Sequence, residues 1–553
     1  MKKLLFFTLI FSLYYMNINA QVSLGGTPLS FDYPNLEKII DFISIPAPNL
    51  DALASEDAER VAKSEPYRIG VSIPVDLNLN NSGTWINLPD NNGSLWRLSL
   101  RSESALAIGL SYRDFFLPEG ATLFIYNKDK SMILGAYTEI NNIDNRSFAN
   151  EYIQGDEFTL ELFVPENRVN QVALNISSVE YFYRGINFPN QSKSSDYCEV
   201  DINCPEGANW QDEKKGICKI DIKIGSAWFN CTGSLMNNTK NDCKPYILLA
   251  DHCIYYGGYP SASDYNSWVF RFHYERTTCG GSTNAAVKTM TGCALKAHDT
   301  YGQTYTGSDF CLVQLNSTIP TTHNVYYNGW DRSTSASSSG VGIHHPSADV
   351  MKISTYTTTL TNSNYGTTHW KVYWAATVTE HGVTEEGSSG SPLFNSSGRV
   401  VGTLTGGSSY CSTPNDPDHY GKFSKHWDAN GSVPAKRLKD WLDPTPSTGV
   451  TYVNGIATCN SAGIFENFPQ EEKIQIYPSP ANDEIYLNFS VVGNKIENVI
   501  IYNIMGVAVK NTPLLILENG KASINISDLS DGVYFLTAQN DKVIFKGDFI
   551  KLK

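Results

Sequence analysis

The sequence predicts a mainly β protein built from several domains. Its 553 residues allow three or four domains with complete cores, at roughly 150 residues per domain. Short β-prone segments bounded by Gly, Pro or Asn occur on both sides of a central region. That central region, from position 198 to position 411, holds ten of the eleven cysteines. These observations indicate two β-rich flanks around a disulfide-rich centre.

The first 20 residues read as a secretory signal peptide. Two lysines precede an apolar run from Leu4 to Tyr15, and a polar stretch ends at Ala20. A membrane anchor is the alternative, but the run is shorter than the ~20 residues that a spanning helix needs. No later segment is long and apolar enough to span a bilayer, so we expect no transmembrane segment in the mature chain. Gln21 stands where a lipid anchor would need Cys.

Residues 21–193 predict a β-sandwich. The segments 96–100, 121–126 and 158–164 are short and rich in β-branched, aromatic and leucine residues. Pro118 and Gly120 supply turn chemistry before the second segment, and Gly155 supplies it before the third. A permanent sandwich that binds a carbohydrate or a protein partner is one interpretation of this region.

The central cysteines favour an oxidising compartment, where disulfides persist. A zinc site is the alternative interpretation of a cysteine-rich segment. The cysteines lack paired C-x-x-C spacing, however, and this argues against zinc.

Three polar residues in the centre predict nucleophilic catalysis. The string GSSGSP at 387–392 is a tight Gly/Ser turn that presents Ser389 beside backbone N–H groups. His252 and Asp309 precede it, with 57 residues from His252 to Asp309 and 80 from Asp309 to Ser389. A serine is a weak nucleophile until a neutral imidazole takes its proton, and a buried carboxylate must hold that imidazole in one tautomer. This spacing suits two β-barrels that share one cleft.

Each of these residues also has an ordinary structural interpretation. A histidine beside a cysteine is usually packed in a core, a Ser/Gly run is usually a loop, and an aspartate near a strand start commonly caps a turn. Their joint occurrence in the order His, Asp, Ser favours the catalytic interpretation.

The strings around these residues resemble the trypsin-like serine peptidases, and more narrowly the secreted bacterial lysyl endopeptidases. The likeness covers about 194–445 and rests on CEVDINCPEG at 198–207, CTGSLMNN at 231–238, DHC at 251–253, IHHP at 343–346, GVTEEGSSGSP at 382–392, GTLTGG at 402–407, Cys411 and DHYGK at 418–422. The resemblance implies a trypsin-like double β-barrel in which His252 is the general base, Asp309 orients it and Ser389 is the nucleophile.

The resemblance also implies the surroundings of the triad. The N–H groups of Gly387 and Ser389 would form the oxyanion hole, whose donors are each worth ~10²- to 10³-fold in rate. Ser388 replaces an aspartate that pairs with a new N-terminus in many relatives, so activation through that ion pair is not expected. Asp251, directly before the histidine, adds a charge that is expected to shift the pH profile.

Substrate choice is expected to depend on Asp418. The resemblance places a carboxylate of this segment at the bottom of the first specificity pocket, where an unpaired charge is costly, so a Lys or Arg side chain would be selected. An exposed loop acid is the alternative interpretation of Asp418. Thr405 replaces a pocket-wall histidine of the family, and Gly406 would let an extended peptide pair with the backbone.

Three disulfides follow from the family pattern, namely Cys198 with Cys411, Cys204 with Cys279, and Cys231 with Cys253. The pairing of Cys218, Cys243, Cys293, Cys311 and Cys459 does not follow from sequence, although Cys293 with Cys311 is one candidate. The resemblance also implies that residues 21–193 are a propeptide that assists folding and blocks the cleft. Lys193 would then be the cleavage site, with Arg184 the nearest competing basic residue.

Residues 446–472 contain Pro, Gly and Ser with weak periodicity and indicate a linker. Residues 473–553 form a cysteine-free β pattern with the strings IQIYPSPA at 474–481, VIIYNIMG at 499–506 and ISDLSDGVYF at 526–535. These strings resemble the C-terminal sorting domains of the type IX (Por) secretion system. The resemblance implies export through the periplasm to the cell surface or medium; a small immunoglobulin-like appendage is the alternative.

Charge and chemistry narrow the partners. The formal net charge of −14 argues against nucleic acid, which needs a basic face. Serine hydrolysis uses protein groups alone, so no cofactor or metal is expected. We therefore expect a secreted endopeptidase acting on Lys- or Arg-containing proteins and peptides, together with the secretion machinery as a partner. A catalytically inactive, protease-like surface binding protein is the alternative function.

Overall fold

The structure is a computed structural model. It describes residues 23–33, 36, 40–62, 65–88, 93–143, 146–186, 195–445, 449–459, 470–488, 495–496, 498–503, 508–512, 515–516, 521–539 and 543–552. The signal peptide and the Lys193 site lie outside the described residues. The chain divides into two compact units, residues 1–460 and 461–553.

The N-terminal region is a β-sandwich, as the sequence predicts. Its elements are β1 (Asp41–Ser44), α1 (Leu50–Ala62), β2 (Tyr67–Asn78), β3 (Thr84–Leu88), β4 (Gly93–Arg101), β5 (Ala107–Phe116), β6 (Thr122–Asn127), β7 (Ile133–Tyr137), β8 (Phe148–Ala149), β9 (Ile153–Gln154), β10 (Glu157–Pro165) and β11 (Ala173–Phe182). One sheet has the order β1-β4-β10-β6-β7, and strands β2, β11, β5 and β8 form the other layer. Trp96, Leu160, Ile176 and Val179 are among the apolar side chains of the shared core.

The central region contains two further β units. Its elements are β12 (Ile217–Ile224), β13 (Ala227–Met236), β14 (Tyr246–Leu249), α2 (Ala262–Ser267), β15 (Val269–Phe272), β16 (Lys288–Thr291), β17 (Cys293–His298), α3 (Tyr301–Thr304), β18 (Cys311–Leu315), β19 (Gly329–Asp331), β20 (Gly340–His344), β21 (Lys352–Tyr356), β22 (Thr361–Ser363), β23 (Gly366–Val372), β24 (Pro392–Asn395), β25 (Arg399–Gly407), β26 (Asp418–Lys422), α4 (Phe423–Asp428), α5 (Lys439–Leu442) and β27 (Tyr452–Val453). The first of these two β units contains the strands from β12 to β18. The second has the strand order β21-β20-β24-β25-β26-β23-β22.

The N-terminal sandwich and the first central unit share one continuous sheet. Strand β2 pairs antiparallel with β13, with Gly70 opposite Trp228 and Tyr67 opposite Asn230. Its other edge pairs with β11 of the sandwich. The sheet therefore has twelve strands, and the N-terminal region covers what would otherwise be an open edge of the central region.

The cysteines form four disulfides among the described residues. Three are the pairs that the family pattern implies, Cys198–Cys411, Cys204–Cys279 and Cys231–Cys253, and the fourth joins Cys243 to Cys459. Cys218, Cys293 and Cys311 are free and buried. The candidate pair Cys293–Cys311 is therefore wrong. In the β17–β18 register these residues lie opposite Leu315 and His298, at opposite ends of the ladder.

The fourth disulfide also corrects the expected linker. Residues 449–459 belong to the compact unit of residues 1–460, because β27 pairs with β19 and Cys459 is bonded to Cys243. A Pro/Gly/Ser composition indicated a free linker here, but strand pairing and a covalent bond hold the segment.

The C-terminal unit is also a β structure. Its strands are β28 (Gln470–Lys473), β29 (Gln475–Tyr477), β30 (Glu484–Asn488), β31 (Lys495–Ile496), β32 (Asn498–Asn503), β33 (Ala508–Thr512), β34 (Leu515–Ile516), β35 (Lys521–Asn525), β36 (Gly532–Gln539) and β37 (Val543–Lys551). Ile485, Leu487, Ile501 and Leu536 lie in its core. Across the described part of both units, we find no helix with the length and apolarity to cross a membrane.

Candidate active site

His252 lies in a short 3₁₀ turn that directly follows strand β14. Cys253 in the same turn is bonded to Cys231 on β13, so a covalent link fixes the turn against the sheet. The preceding Asp251 turns away from the imidazole of His252. Its carboxylate binds the ring of His298 at 2.7 Å and the N–H of Gly302 at 2.8 Å.

Asp309 makes two hydrogen bonds to His252. One carboxylate oxygen accepts from ring Nδ1–H at 2.8 Å, and the other accepts from the backbone N–H at 2.9 Å. A proton fixed on Nδ1 leaves Nε2 as the basic nitrogen. Burial lowers the pKa of His252, but the Asp309 carboxylate outweighs this effect, so the pKa lies above its usual value. Burial raises the pKa of Asp309, and the bonds from His252 bring it below the usual value.

The Ser389 loop, residues 385–391, packs against the strand that leads to His252. A Cβ on Gly390 would lie 2.8 Å from the backbone N of Ala250 and 3.0 Å from the side chain of Leu249, so only glycine allows this approach. On β13, the N–H of Thr232 donates to the carbonyl of Ser389 at 2.9 Å. The loop thus packs directly against β13 and against the chain segment that leads into the histidine turn.

The backbone amides of the loop leave two donors for a ligand. Ser388 N–H bonds to Glu385, Gly390 N–H bonds to Leu404, and the N–H of Ser391 returns to the carbonyl of Ser388. Within the described residues, the N–H groups of Gly387 and Ser389 have no hydrogen-bond partner. Two free amides beside a serine hydroxyl form a site that can bind an oxyanion.

Ser388 is held by neutral hydrogen bonds. Its hydroxyl accepts from the N–H of Glu385 at 3.3 Å and contacts Nδ1 of His344 at 2.8 Å, and Nε2 of that ring contacts Ser354 at 3.0 Å. Burial lowers the pKa of His344 to about 3, so the ring is neutral. A neutral network therefore supports the loop at Ser388.

Asp418 and Ser389 line the same cavity. The cavity has a volume of about 520 Å³, including space open to solvent, and its wall includes Thr405, Gly406 and Gly407. Asp418 is fully buried, which contradicts the exposed-loop alternative. One carboxylate oxygen accepts from Trp374 at 2.6 Å, Thr384 at 2.7 Å and Ser409 at 2.6 Å, and the other accepts from the N–H of Ser409 at 3.2 Å. Burial raises the pKa of this carboxyl group, and these donors oppose the rise.

Thr405 lines the cavity, and its hydroxyl bonds to Asp309. The hydroxyl donates to Asp309 and lies 3.1 Å from Nε2 of His369. Burial lowers the pKa of His369 to about 4, so the neutral ring donates to the threonine oxygen and accepts from Thr368 at 2.9 Å. Sequence reasoning placed Thr405 at the pocket wall and missed its bond to the carboxylate.

Several other contributors have no recognisable motif in the sequence. His369 lies on β23, Ser409 lies in a loop, and Asp299 follows β17, ten residues before Asp309. A buried polar residue inside a β-prone segment is the only signal that pointed toward them, and it occurs at many structural positions as well.

The N-terminal domain, the sandwich of residues 23–186, reaches the same cavity. Glu65 and Tyr67, at the start of β2, line it together with Ser389 and Asp418. Arg60 on α1 lies over the rings of Phe229 and Tyr256, with 4.9 and 4.5 Å between its guanidinium carbon and the ring centres. Part of the cleft is therefore closed by the chain itself.

Two protein families match this chain in separate regions. Residues 192–421 match "Lysyl endopeptidase, C-terminal domain", and residues 475–551 match "Secretion system C-terminal sorting domain". A lysyl endopeptidase of Pseudomonas aeruginosa is 27% identical over 405 residues, which cover 67% of this chain and 84% of that protein.

Solved structures of proteases align with the chain more weakly. The thermostable serine protease AL20 of an extremophilic microorganism has a TM-score of 0.28 and 15% identity, covering 38% of this chain and 92% of that chain. The protease Anisep of Arthrobacter nicotinovorans has a TM-score of 0.28 and 17% identity, covering 40% and 91%.

The sorting domain directs its carrier out of the cell, so the protein is secreted or exposed at the cell surface. The family matches agree with the β architecture and with the strings around His252 and Ser389. The chain is thus a serine endopeptidase whose residues 192–421 resemble the C-terminal domain of lysyl endopeptidases and whose residues 475–551 match a secretion system C-terminal sorting domain.

Proposed function

We propose that this protein hydrolyses peptide bonds on the carboxyl side of lysine, through an acyl-enzyme formed on Ser389. The observation that carries the proposal is the combination of a buried Asp418 with Ser389 in one cavity, beside the hydrogen-bonded pair His252 and Asp309. A buried carboxylate at the base of a pocket favours a cationic side chain, because such a side chain supplies the missing counter-charge.

Each residue has one role in the proposed reaction. Nε2 of His252 takes the proton from Ser389 as Oγ attacks the carbonyl carbon, and Asp309 stabilises the resulting imidazolium. The N–H groups of Gly387 and Ser389 bind the oxyanion. His252 then passes its proton to the leaving amine, and water, activated by the same imidazole, hydrolyses the ester and regenerates the serine.

The bonds already made to Asp418 favour Lys over Arg. An arginine fork needs a free acceptor position on both carboxylate oxygens. Here one oxygen already accepts from Trp374, Thr384 and Ser409. A lysine ammonium is a compact donor that can use the second oxygen together with the hydroxyl oxygens of Thr384 and Ser409.

Labelling and specificity experiments test this function. A serine-directed phosphonofluoridate should modify Ser389 of the mature enzyme, and paired peptide amides that differ only in Lys or Arg should show a higher kcat/KM for Lys. Asp418→Asn should lower kcat/KM on both peptides, because the cationic side chain loses its counter-charge. A folded, processed chain without label would support the inactive surface-binding alternative instead.

The N-terminal domain completes the proposal as a propeptide, with residues 21–193 released by cleavage after Lys193. Its support is the position of Glu65 and Tyr67 in the wall of the cavity that holds Ser389. Such an enzyme would cut its own precursor if it selects lysine. N-terminal sequencing of the secreted form should give Ser194 as the first residue; a secreted, active chain that begins near residue 21 would contradict the propeptide role.

A further inference from the structure

Asp299 is a buried carboxyl group beside the turn that carries Asp309. Only 3% of the surface of Asp299 is exposed to solvent. One oxygen accepts from the N–H of Tyr301 at 3.0 Å, and the other accepts from the N–H groups of Ser308 and Asp309 at 2.8 and 2.7 Å. One side chain therefore ties both ends of the segment 301–309 together.

The backbone of this turn is shaped around the carboxylate. Asp309 has a φ of 62°, in the left-handed region that residues with a side chain seldom adopt. Gly307 has a φ of 116°, and a Cβ there would lie 2.6 Å from a carboxylate oxygen of Asp299. The hydrogen bond from Asp309 N–H to Asp299 holds the unfavourable conformation in place.

The opposite end of the Asp309 peptide is fixed as well. The Thr403 hydroxyl donates to the carbonyl of Asp309 at 3.1 Å and lies 3.0 Å from Nε2 of His426. Nδ1 of that ring contacts the Ser308 hydroxyl at 2.9 Å. With both ends held, the direction of the Asp309 side chain toward His252 depends on Asp299.

Asp299 also acts on His252 through its charge. The ionisable groups that face it are the carboxyl groups of Asp251 and Asp309, the imidazole of His252, the phenols of Tyr259 and Tyr301, the Cys311 thiol and the Lys436 ammonium at its carbonyl. Burial and the two carboxylates raise the pKa of Asp299 to about 7. Its negative charge contributes to the raised pKa of His252.

We propose that Asp299 is a positioning residue of the peptidase, which holds the Asp309 turn in the geometry that orients His252. The inference rests on the proposed roles of His252, Asp309 and Ser389. Asp299 is a carboxyl group outside the proposed triad, and it acts on the reaction only through Asp309 and His252.

Asp299→Asn tests the proposal because it keeps the side-chain volume and removes the charge. We expect kcat on a lysyl peptide amide to fall by on the order of 10²-fold with KM unchanged, since small misplacements of catalytic groups have effects of this size. The acid limb of the pH profile of kcat/KM should move to lower pH, because the Asp299 charge, which develops as the pH rises through about 7, no longer favours the protonated imidazole of His252.

Gly307→Ala separates geometry from charge. This variant keeps the Asp299 carboxylate but forces it away from the turn. We therefore expect kcat to fall while the acid limb of the pH profile stays at the wild-type position. The matched control is Asp264→Asn, because the Asp264 carboxylate also accepts two backbone N–H groups, from Ser261 at 2.8 Å and Gly225 at 3.4 Å. That variant should lose thermal stability and keep the wild-type kcat and pH profile.

The outcomes distinguish this inference from the proposed function. A wild-type enzyme that neither cleaves lysyl amides nor reacts at Ser389 would overturn the proposed function. If the wild type is active and Asp299→Asn keeps the kcat and the acid limb of the wild type, the positioning role alone would be overturned. If Asp299→Asn does not fold, as judged by circular dichroism, an unchanged kcat in Gly307→Ala would overturn it.

Discussion

A threonine hydroxyl and the histidine ring behind it support the carboxylate of Asp309. Thr405 donates to it directly, and His369 lies behind that hydroxyl at 3.1 Å. A neutral ring suits this position, because a charged one would compete with His252 for the same carboxylate. Burial keeps the pKa of His369 near 4, well below the pH at which a secreted peptidase of this type would be assayed.

Thr405→Val should lower kcat/KM by about 10-fold. The substitution keeps the side-chain shape and removes a hydrogen bond to a charged group, which is worth about 1.5–3 kcal/mol. The measurement is kcat/KM on a lysyl peptide amide at the pH optimum. Thr405→Ser, which retains the hydroxyl, is the matched control, and equal losses in both variants would contradict the assigned bond.

Secondary-structure elements position the proposed triad by their connections. Strand β13 carries Cys231, which is bonded to Cys253 in the histidine turn, and Thr232, whose N–H bonds to Ser389. The same strand thus holds the base and the nucleophile loop. The disulfide Cys243–Cys459 instead fastens the end of the unit and has no bond to either loop.

Removing the two disulfides separately should have different effects on catalysis. Replacing Cys231 and Cys253 by alanine should cost roughly 2–5 kcal/mol of stability and also lower kcat, because the histidine turn loses its link to β13. Replacing Cys243 and Cys459 should lower stability and leave kcat unchanged. Urea unfolding measures the stability, and steady-state kinetics measure kcat. An equal kcat in both double variants would rule out the positioning role of Cys231–Cys253.

The N-terminal domain and the protease domain are joined by a buried charge as well as by strand pairing. Glu180 on β11 accepts from Lys223 at 2.6 Å and from the indole of Trp228 at 2.6 Å, both residues of the protease domain. Ser111 and Ser178 bind the same carboxylate at 2.6 Å. Burial raises the pKa of Glu180, but Lys223 and the other donors bring it down to about 2.

Glu180→Gln should therefore destabilise the intact precursor by about 3–5 kcal/mol, the range for breaking a buried ion pair. The effect should be complete above pH ~4.3, where the unfolded glutamate is ionised, and should disappear as the pH falls toward 2. The measurement is urea unfolding of the intact chain in a Ser389→Ala background, which would block the proposed self-cleavage.

Glu157→Gln is the control for this experiment. Its partner Lys128 lies 2.9 Å away but is 72% exposed, so the change should cost less than about 1 kcal/mol. Equal effects of Glu157→Gln and Glu180→Gln, or a pH-independent effect of the latter, would show that Glu180 does not anchor the interface through its charge.

Much of this architecture follows from local sequence. The segments 96–100, 121–126 and 158–164 have the β-prone composition of strands, and they form β4, β6 and β10 of one sheet. The strings around His252, Asp309 and Ser389 identify chemically matched residues, and three disulfide pairs follow from the family pattern. Strand composition and motif strings are local properties, so the chain displays them before it folds.

Other features exist only once the chain has folded. The bond from Thr405 to Asp309 and the pairing of β2 with β13 each join residues far apart in the sequence. Such contacts depend on the register of distant strands, which no local pattern specifies. The segment 449–459 shows the same limit, because its composition indicates a linker whereas Cys459, 216 residues after its partner Cys243, ties it to the folded unit.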